Sequence, residues 1–173
     1  MDFWVFGYGS LIFRPAFPFL ERRPGFIRGY VRRFYQGSVD HRGVPGAPGR
    51  VVTLIPEADG RCGGMLYRVD ARERETVLAT LDHREQGGYV RLDVRAFLHD
   101  ADTFVPALTY FASSDNPNYL GSASVAEIAA QVRSARGPSG ANADYVVRLA
   151  AALRELGVDD EHVFSIERDL IDG

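Results

Sequence analysis

Most of the first two-thirds of the chain shows the short hydrophobic–polar alternation, or the short apolar run, that is typical of β-strands. These segments end at clusters of glycine, proline or aspartate, which predict turns. The pattern predicts strands over residues 3–6, 25–39, 51–55, 65–69, 89–98 and 104–111. A turn around Asp59-Gly60 is expected to separate the third strand from the fourth.

Helical signals are concentrated in the last third of the chain. Ser124 followed by Glu127 has the capping-box spacing of a helix start, and Asp70 followed by Glu73 has the same spacing earlier in the chain. An amphipathic stretch closed by Gly157 predicts the longest helix. The predicted helices cover residues 70–84, 124–136, 142–156 and 160–170.

The order of these elements predicts an α+β protein. Strands dominate first and helices last, without regular βαβ alternation, an internal repeat or a low-complexity linker. We therefore expect one mixed or antiparallel sheet or barrel that is flanked by helices. The length suits a single domain over residues 1–173, with a core large enough to be stable alone.

The length of apolar runs and the cysteine content predict the cellular compartment of the protein. No apolar run approaches the ~18–20 residues of a membrane helix, and the N-terminus is acidic and strand-like rather than a signal peptide. The single cysteine, Cys62, excludes an internal disulfide and is expected to be a buried structural thiol. We therefore expect a soluble cytoplasmic protein without a membrane partner. The sequence leaves its oligomeric state open.

Charge composition excludes several kinds of chemistry. All 20 basic residues are arginines, so there is no lysine for a P-loop, a Schiff base or a pyridoxal phosphate anchor. The formal net charge is −3, yet residues 22–50 hold seven arginines and one acid, and residues 138–173 hold eight acids and three arginines. Such a surface fits an anion, an RNA or a partner subunit, or simply solvated charges.

The turn GYGSL, residues 7–11, follows the first predicted strand. Its glycines allow backbone N–H groups to point towards one place and to approach a bound anion closely. Ile12 replaces the third glycine of a dinucleotide fingerprint, and the spacing of a nucleophile elbow is not met. The motif therefore predicts either an anion cradle or an ordinary tight turn.

Glu85 lies where a predicted helix gives way to a strand, beside Gly87 and Gly88 and shortly before Tyr89. A carboxylate at such a junction, next to an aromatic hydroxyl and with room for a ligand, is a common setting for a general base. The alternative is a surface ion pair between Glu85 and a neighbouring arginine.

Other polar side chains give weaker signals. The four histidines are scattered, without the spacing of a metal-binding pair, so no metal site is expected. Ser38, Asp40 and His41 lie too close in sequence for the relay geometry of a triad, which favours a ligand-binding or structural loop. Tyr119 lies in a turn cluster over residues 116–121 that, taken alone, indicates a structural loop.

Several segments occur together in a fixed order: FGYGSLI (6–12), RRFYQGS (32–38), DHRG (40–43), PGRVVTL (48–54), REQGGY (84–89) and DNPNYLG (115–121). This ordered series resembles the ChaC-type, glutathione-specific γ-glutamylcyclotransferases from residue 3 to about residue 167. The departures from the family pattern are mild. Phe13 and Tyr35 occupy positions where the family frequently has tryptophan. Val39 occupies a position where threonine is frequent, and His83 one where an aromatic residue is frequent. None of them touches the catalytic group that the resemblance implies.

The resemblance implies that the α-amine of a γ-glutamyl substrate attacks its own γ-carbonyl, so that glutathione gives 5-oxoproline and cysteinylglycine. It implies that Glu85 moves the proton, with burial raising its pKa. The turn would bind the substrate carboxylate or the developing oxyanion, and arginines would suit the glycine carboxylate. The implied substrate-binding residues are Tyr8, Gly9, Ser10, Leu11, Gln36, Arg42, Arg50, Tyr89 and Tyr119. No metal or organic cofactor is needed for this chemistry.

Two other functions are consistent with parts of the sequence. A cyclotransferase could act on other γ-glutamyl amino acids or on γ-glutamylamines. Alternatively, a small barrel could use the arginine- and aromatic-rich segment 26–35 as a platform for single-stranded nucleic acid. The overall acidity and the ordered motif series argue against the nucleic-acid partner.

Overall fold

A computed structural model describes residues 1–99 and 102–173. Five strands close into a barrel in the order β1-β3-β2-β4-β5. The strands are β1 (Phe3–Gly7), β2 (Glu21–Ser38), β3 (Gly49–Val69), β4 (Val90–Leu98) and β5 (Phe104–Phe111). β1 pairs in parallel with β5, and the other neighbouring barrel strands pair antiparallel. The barrel is therefore mixed, and the predicted α+β class is confirmed.

The long strand β3 corrects one sequence prediction. The expected turn at Asp59-Gly60 does not divide it, because strand structure continues from Gly49 to Val69. Arg28 pairs with Arg61, whereas Tyr30, two residues further along β2, pairs with Pro56. The extra residues of β3 therefore form a bulge opposite β2, and the turn-like Asp-Gly pair lies inside that bulge.

Four α-helices and a small hairpin complete the described part of the chain. They are α1 (Arg74–Arg84), α2 (Val125–Ser134), α3 (Asn142–Glu155), α4 (Glu161–Asp172), and the short strands β6 (Arg136–Gly137) and β7 (Gly140–Ala141). The capping box of α2 is present, since the Ser124 hydroxyl accepts from the Glu127 N–H and the Glu127 carboxylate accepts from the Ser124 N–H. α2 ends before the predicted Gly137-Pro138 because the hairpin begins at Arg136.

One hydrophobic core joins the barrel to the C-terminal helices. Its largest fully buried apolar side chains include Phe6, Phe34, Leu54, Leu66, Tyr67, Ile128, Leu149, Leu153 and Ile166. Each contributes about 1.5–3 kcal/mol through burial, so the barrel is a firm support for the loops at its end. Cys62 is buried as predicted, and burial raises the pKa of its thiol. Within residues 1–99 and 102–173, no helix has both the length and the apolar character needed to cross a bilayer.

Candidate active site

Two adjoining cavities, of about 270 and 40 Å³, lie where the first turn, the end of α1, β3 and α3 meet. The larger one approaches the lower limit of the ~300–1,000 Å³ range of small-molecule sites. Four side chains line both cavities: Ser10, Glu85, Tyr89 and Tyr145. The structure thus brings the two strongest sequence candidates, the turn 7–11 and Glu85, to one place.

Glu85 is held by the end of α1 and the turn that follows it. Its N–H donates to the carbonyl of the fully buried Leu81 at 2.9 Å, and its own carbonyl accepts from the Tyr89 N–H at 3.2 Å. Gly88 has a φ of +116°, and a Cβ there would come within 2.5 Å of the Asn116 side-chain oxygen. Glycine is therefore required at this position for the chain to turn from Glu85 into β4.

The Glu85 carboxylate is largely buried, and its one ion pair within the described residues, with Arg84, is long. Its side chain is 16% exposed, and the Arg84 Nε lies 3.9 Å from its Oε1. No described residue donates a hydrogen bond to it. Burial raises the pKa of Glu85, an effect that Arg84 and His41 oppose and Asp40 reinforces. The ion pair with Arg84 is present but long and lies at the cavity wall rather than on the open surface, a setting that suits a proton acceptor.

The turn leaves backbone N–H groups without a partner, in the part of the chain that the structure describes, beside the smaller cavity. Ser10–Ile12 forms one 3₁₀ turn, in which Gly9 and Ser10 carbonyls accept hydrogen bonds from residues further along. The N–H groups of Gly9, Ser10 and Leu11 find no acceptor among the described residues. A Cβ on Gly9 would lie 2.9 Å from Val52 Cγ2, so only glycine leaves this space open. The turn lines the smaller cavity, as an anion cradle requires, although the first N–H groups of an ordinary helical turn are also unpaired.

Arg84 ties the turn to the residue beside Glu85. Its Nη2 donates to the Ser10 hydroxyl at 2.7 Å, and its Nη1 donates to the Arg14 carbonyl at 2.6 Å. Sequence reasoning included Arg84 in the REQGGY segment but gave it no role. The signal that the sequence offered for Arg84 was its position directly before Glu85.

Two phenols form the wall between the turn and α3. The Tyr89 hydroxyl donates to the Val52 carbonyl at 2.7 Å, and the Tyr145 hydroxyl accepts from the Val52 N–H at 3.4 Å. Burial raises the pKa of both, that of Tyr145 to about 12, so both stay neutral. Tyr145 was missed because, on an amphipathic helix, its position indicates a core residue.

The outer part of the larger cavity is polar and mainly cationic. Arg42 lines it, donates to the Ala141 carbonyl at 3.1 Å, and lies 5.6 Å from the Tyr145 ring centre. The His41 ring bridges the Ser139 hydroxyl and the Arg84 carbonyl. Further lining residues here are Arg14, Ser38 and Asp40. Across the part of the chain that the structure describes, no cluster of histidine, cysteine and carboxylate side chains suits a metal ion.

Three predicted contact residues lie outside both cavities. Gln36 is fully buried and donates to the Gly87 carbonyl at 3.1 Å, so it supports the turn after Glu85. The Arg50 guanidinium donates to the Gln131 side chain and to two backbone carbonyls. Tyr119 pairs with Gln36 through an isolated β-bridge and does not line the cavities. The structure therefore does not bring these three residues to the walls of the two cavities, and the polar groups of Gln36 and Arg50 bond to internal partners.

Part of the segment 26–35, the candidate platform for nucleic acid, is buried in the barrel. Arg32 is 2% exposed and Phe34 is fully buried, while Phe26 is also in the core. Stacking of bases requires accessible aromatic faces. The three buried side chains are not available for stacking, whereas Arg28 is exposed and Tyr30 is partly exposed.

Comparisons with known proteins agree with the family resemblance seen in the sequence motifs. The family described as ChaC-like protein matches residues 3–171. The chain is 46% identical over 171 residues to gamma-glutamylcyclotransferase 2-3 of Arabidopsis thaliana, covering 94% of this chain and 85% of that protein. It is 44% identical over 173 residues to glutathione-specific gamma-glutamylcyclotransferase 1 of Danio rerio, covering 97% and 88%. The crystal structure of a glutathione-specific γ-glutamyl cyclotransferase from yeast superposes with a TM-score of 0.93 at 27% identity, covering 99% and 96%.

Proposed function

The chain belongs to the ChaC-like protein family, and from this premise we propose that it is a glutathione-specific γ-glutamylcyclotransferase. Glutathione is cleaved to 5-oxoproline and cysteinylglycine. The observation in this chain that carries the proposal is the Glu85 carboxylate, which is buried without a hydrogen-bond donor and lines the same small cavity as the turn 8–11.

The reaction is an intramolecular ring closure. The α-amino nitrogen of the γ-glutamyl group attacks the γ-carbonyl carbon, a C–N bond forms, and the carbonyl π electrons move to oxygen. The amide C–N bond to cysteine then breaks, and its nitrogen leaves with a proton. Holding the γ-glutamyl chain in a folded conformer supplies much of the rate enhancement through proximity. The protein must also move one proton and stabilise one oxyanion.

Glu85 moves the proton. The α-ammonium group first loses one proton to solvent, which gives the amine that attacks. The ionised Glu85 carboxylate then accepts the second proton from the attacking nitrogen and gives it to the leaving amide nitrogen, so the carboxylate is regenerated in each cycle. The raised pKa brings its basicity closer to neutral pH, which suits both steps. Because the ionised form starts the cycle, activity falls as the pH is lowered through this raised pKa.

The free N–H groups of Gly9, Ser10 and Leu11 bind the oxyanion that develops on the γ-carbonyl oxygen of the substrate. The neutral Tyr89 and Tyr145 limit the space around the γ-glutamyl group. In the outer cavity, Arg42 is placed to bind the glycine carboxylate through a charged hydrogen bond. This last contact gives the preference for glutathione over shorter γ-glutamyl compounds.

We also propose the cytoplasm as the place of the reaction. The single cysteine is buried and unpaired, which suits a reducing compartment. Imaging of the full chain carrying a fluorescent tag tests this location.

The substrate proposal is tested by comparing kcat/KM for glutathione and for γ-glutamyl-alanine, with the products identified by mass spectrometry. We expect 5-oxoproline from glutathione at a rate that clearly exceeds the rate from γ-glutamyl-alanine. Equal efficiency on the two substrates would reject glutathione specificity while retaining the cyclotransferase reaction. Absence of 5-oxoproline from both would reject the cyclotransferase itself.

A further inference from the structure

Arg32 is a buried cation that lies outside both cavities and contacts the backbone of the site's turn. It is 2% exposed. Its Nη1 donates to the Tyr8 carbonyl at 2.7 Å and to the Gly63 carbonyl at 2.8 Å. Its Nε donates to Asp160 Oδ2 at 2.9 Å. The guanidinium is thus fixed between the turn, β3 and the start of α4.

Asp160 holds this cation from the other side. Its second oxygen, Oδ1, accepts from the Val163 N–H at 3.1 Å and so caps the N-terminus of α4. Asp160 has no contact of its own with the turn. Its role towards the site therefore passes through Arg32.

The contact with Tyr8 determines where the next N–H points. The Tyr8 carbonyl and the Gly9 N–H belong to one trans peptide, so they point in opposite directions. The carbonyl is directed at Arg32, which lines neither cavity, whereas Gly9 itself lines the smaller cavity with Glu85. The Gly9 N–H is therefore presented to the cavity.

We propose that Arg32 is a positioning residue of the reaction, which fixes and polarises the Tyr8–Gly9 peptide so that the Gly9 N–H is a stronger donor to the substrate oxyanion. The charge-assisted hydrogen bond draws electron density towards the carbonyl oxygen, and hydrogen bonds in such a chain strengthen one another. The proposal rests on the proposed cyclotransferase function, because it assigns that reaction's anion to the turn.

The kinetic test uses Arg32→Met combined with Asp160→Asn. This pair removes both buried charges together, and asparagine retains the helix cap. Loss of a whole oxyanion donor costs about 10²–10³-fold in kcat, so weakening one donor is expected to lower kcat about 10- to 100-fold. KM for glutathione should change less than about 3-fold, because the anion develops only in the transition state.

The matched control is Arg154→Met with Glu167→Gln, which removes another ion pair of α4. Arg154 of α3 and Glu167 form two hydrogen bonds, of 2.5 and 3.2 Å, and line neither cavity. This control should lower the melting temperature without changing kcat. An unchanged kcat in the folded Arg32/Asp160 variant, or an equal loss of kcat in the control, would overturn the positioning role.

A spectroscopic readout does not depend on activity. Tyr8-Gly9 is the only Tyr-Gly pair in the sequence, so protein labelled with ¹³C-carbonyl tyrosine and ¹⁵N-glycine gives one cross-peak that correlates the two labels. In the Arg32/Asp160 variant, the Tyr8 carbonyl carbon and the Gly9 amide proton should both shift upfield, and in the control they should not. Unmoved signals would overturn the inference even if glutathione proves not to be the substrate.

Arg32→Lys provides a second variant in case the double replacement does not fold. Lysine keeps a positive charge for Asp160 but loses the planar fork that reaches Tyr8, Gly63 and Asp160 together. We expect a smaller fall in kcat and a smaller upfield shift, both in the same direction as in the double variant. A folded Arg32→Lys protein with wild-type kcat and wild-type shifts would contradict the proposal.

Discussion

Replacing Glu85 by glutamine is expected to abolish turnover and, at neutral pH, to stabilise the fold. Burial raises the pKa of this carboxyl above its ordinary value, with Arg84 only partly opposing the effect. A carboxyl whose pKa is higher in the folded state stabilises the fold below its unfolded pKa, and that contribution is lost as the pH rises through the folded pKa. At neutral pH the buried carboxylate therefore costs stability, and glutamine removes this cost.

The structure gives the size of both effects. Loss of the acid–base group lowers kcat at least about 100-fold. The Glu85 side chain is 16% exposed and its nearest cation lies 3.9 Å away, so little compensates its burial. No donor among the surrounding described residues loses a hydrogen bond when the carboxylate is replaced. A change of ~1 kcal/mol moves the Tm of a chain of this size by about 2–4 °C, and we expect a rise in this range at neutral pH.

Melting curves between about pH 4 and pH 8 measure the stability effect. The matched control is Glu155→Gln, which removes one negative charge from an exposed position at the end of α3. The Tm advantage of Glu85→Gln should grow with pH, whereas that of the control should not. A Tm difference for Glu85→Gln that is independent of pH, or a kcat above a tenth of the wild-type value, would refute the reasoning.

Four other substitutions or treatments test separate parts of the account. Gly9→Ala places a Cβ 2.9 Å from Val52 Cγ2 and 3.0 Å from the Tyr145 hydroxyl, so steady-state kinetics should show at least a ~10-fold loss in kcat/KM. Arg42→Ala should reduce the preference for glutathione over γ-glutamyl-alanine, measured as the ratio of their kcat/KM values, by roughly 10- to 150-fold. This corresponds to the loss of a charged hydrogen bond of about 1.5–3 kcal/mol. An unchanged ratio would show that Arg42 does not determine substrate specificity. Arg50→Ala should lower the Tm and leave that ratio unchanged, since its guanidinium bonds only to internal groups. EDTA and Cys62→Ala should leave activity intact, and restoration of chelator-inhibited activity by a divalent ion would contradict this.

Sequence reasoning succeeded where a short segment determines its own geometry. The turn 7–11 and the Glu85 junction are contiguous motifs at element ends, and their glycines are needed locally, so both were found without tertiary information. The capping box at Ser124 is equally local.

Sequence reasoning has less to work with where a residue's contacts depend on distant partners. Gln36 and Arg50 were expected at the substrate because polar residues within a motif suggest contact, yet both satisfy internal backbone carbonyls. Whether a buried polar side chain points into a cavity or towards the backbone is decided by tertiary packing. For the same reason, the parts that Arg32 and Tyr145 play could not be read from the periodicity of β2 and α3.

The most direct test of the central claim follows the atoms of the substrate. Glutathione labelled with ¹⁵N at the γ-glutamyl α-amine is incubated with the protein in ¹⁸O-water, and the masses of the products are measured by mass spectrometry. Intramolecular attack predicts 5-oxoproline that carries ¹⁵N and no ¹⁸O, released in equal amount with cysteinylglycine by the wild type and not by folded Glu85→Gln. Glutamate carrying ¹⁸O as the first product, or the same yield of 5-oxoproline from both proteins, would contradict the account.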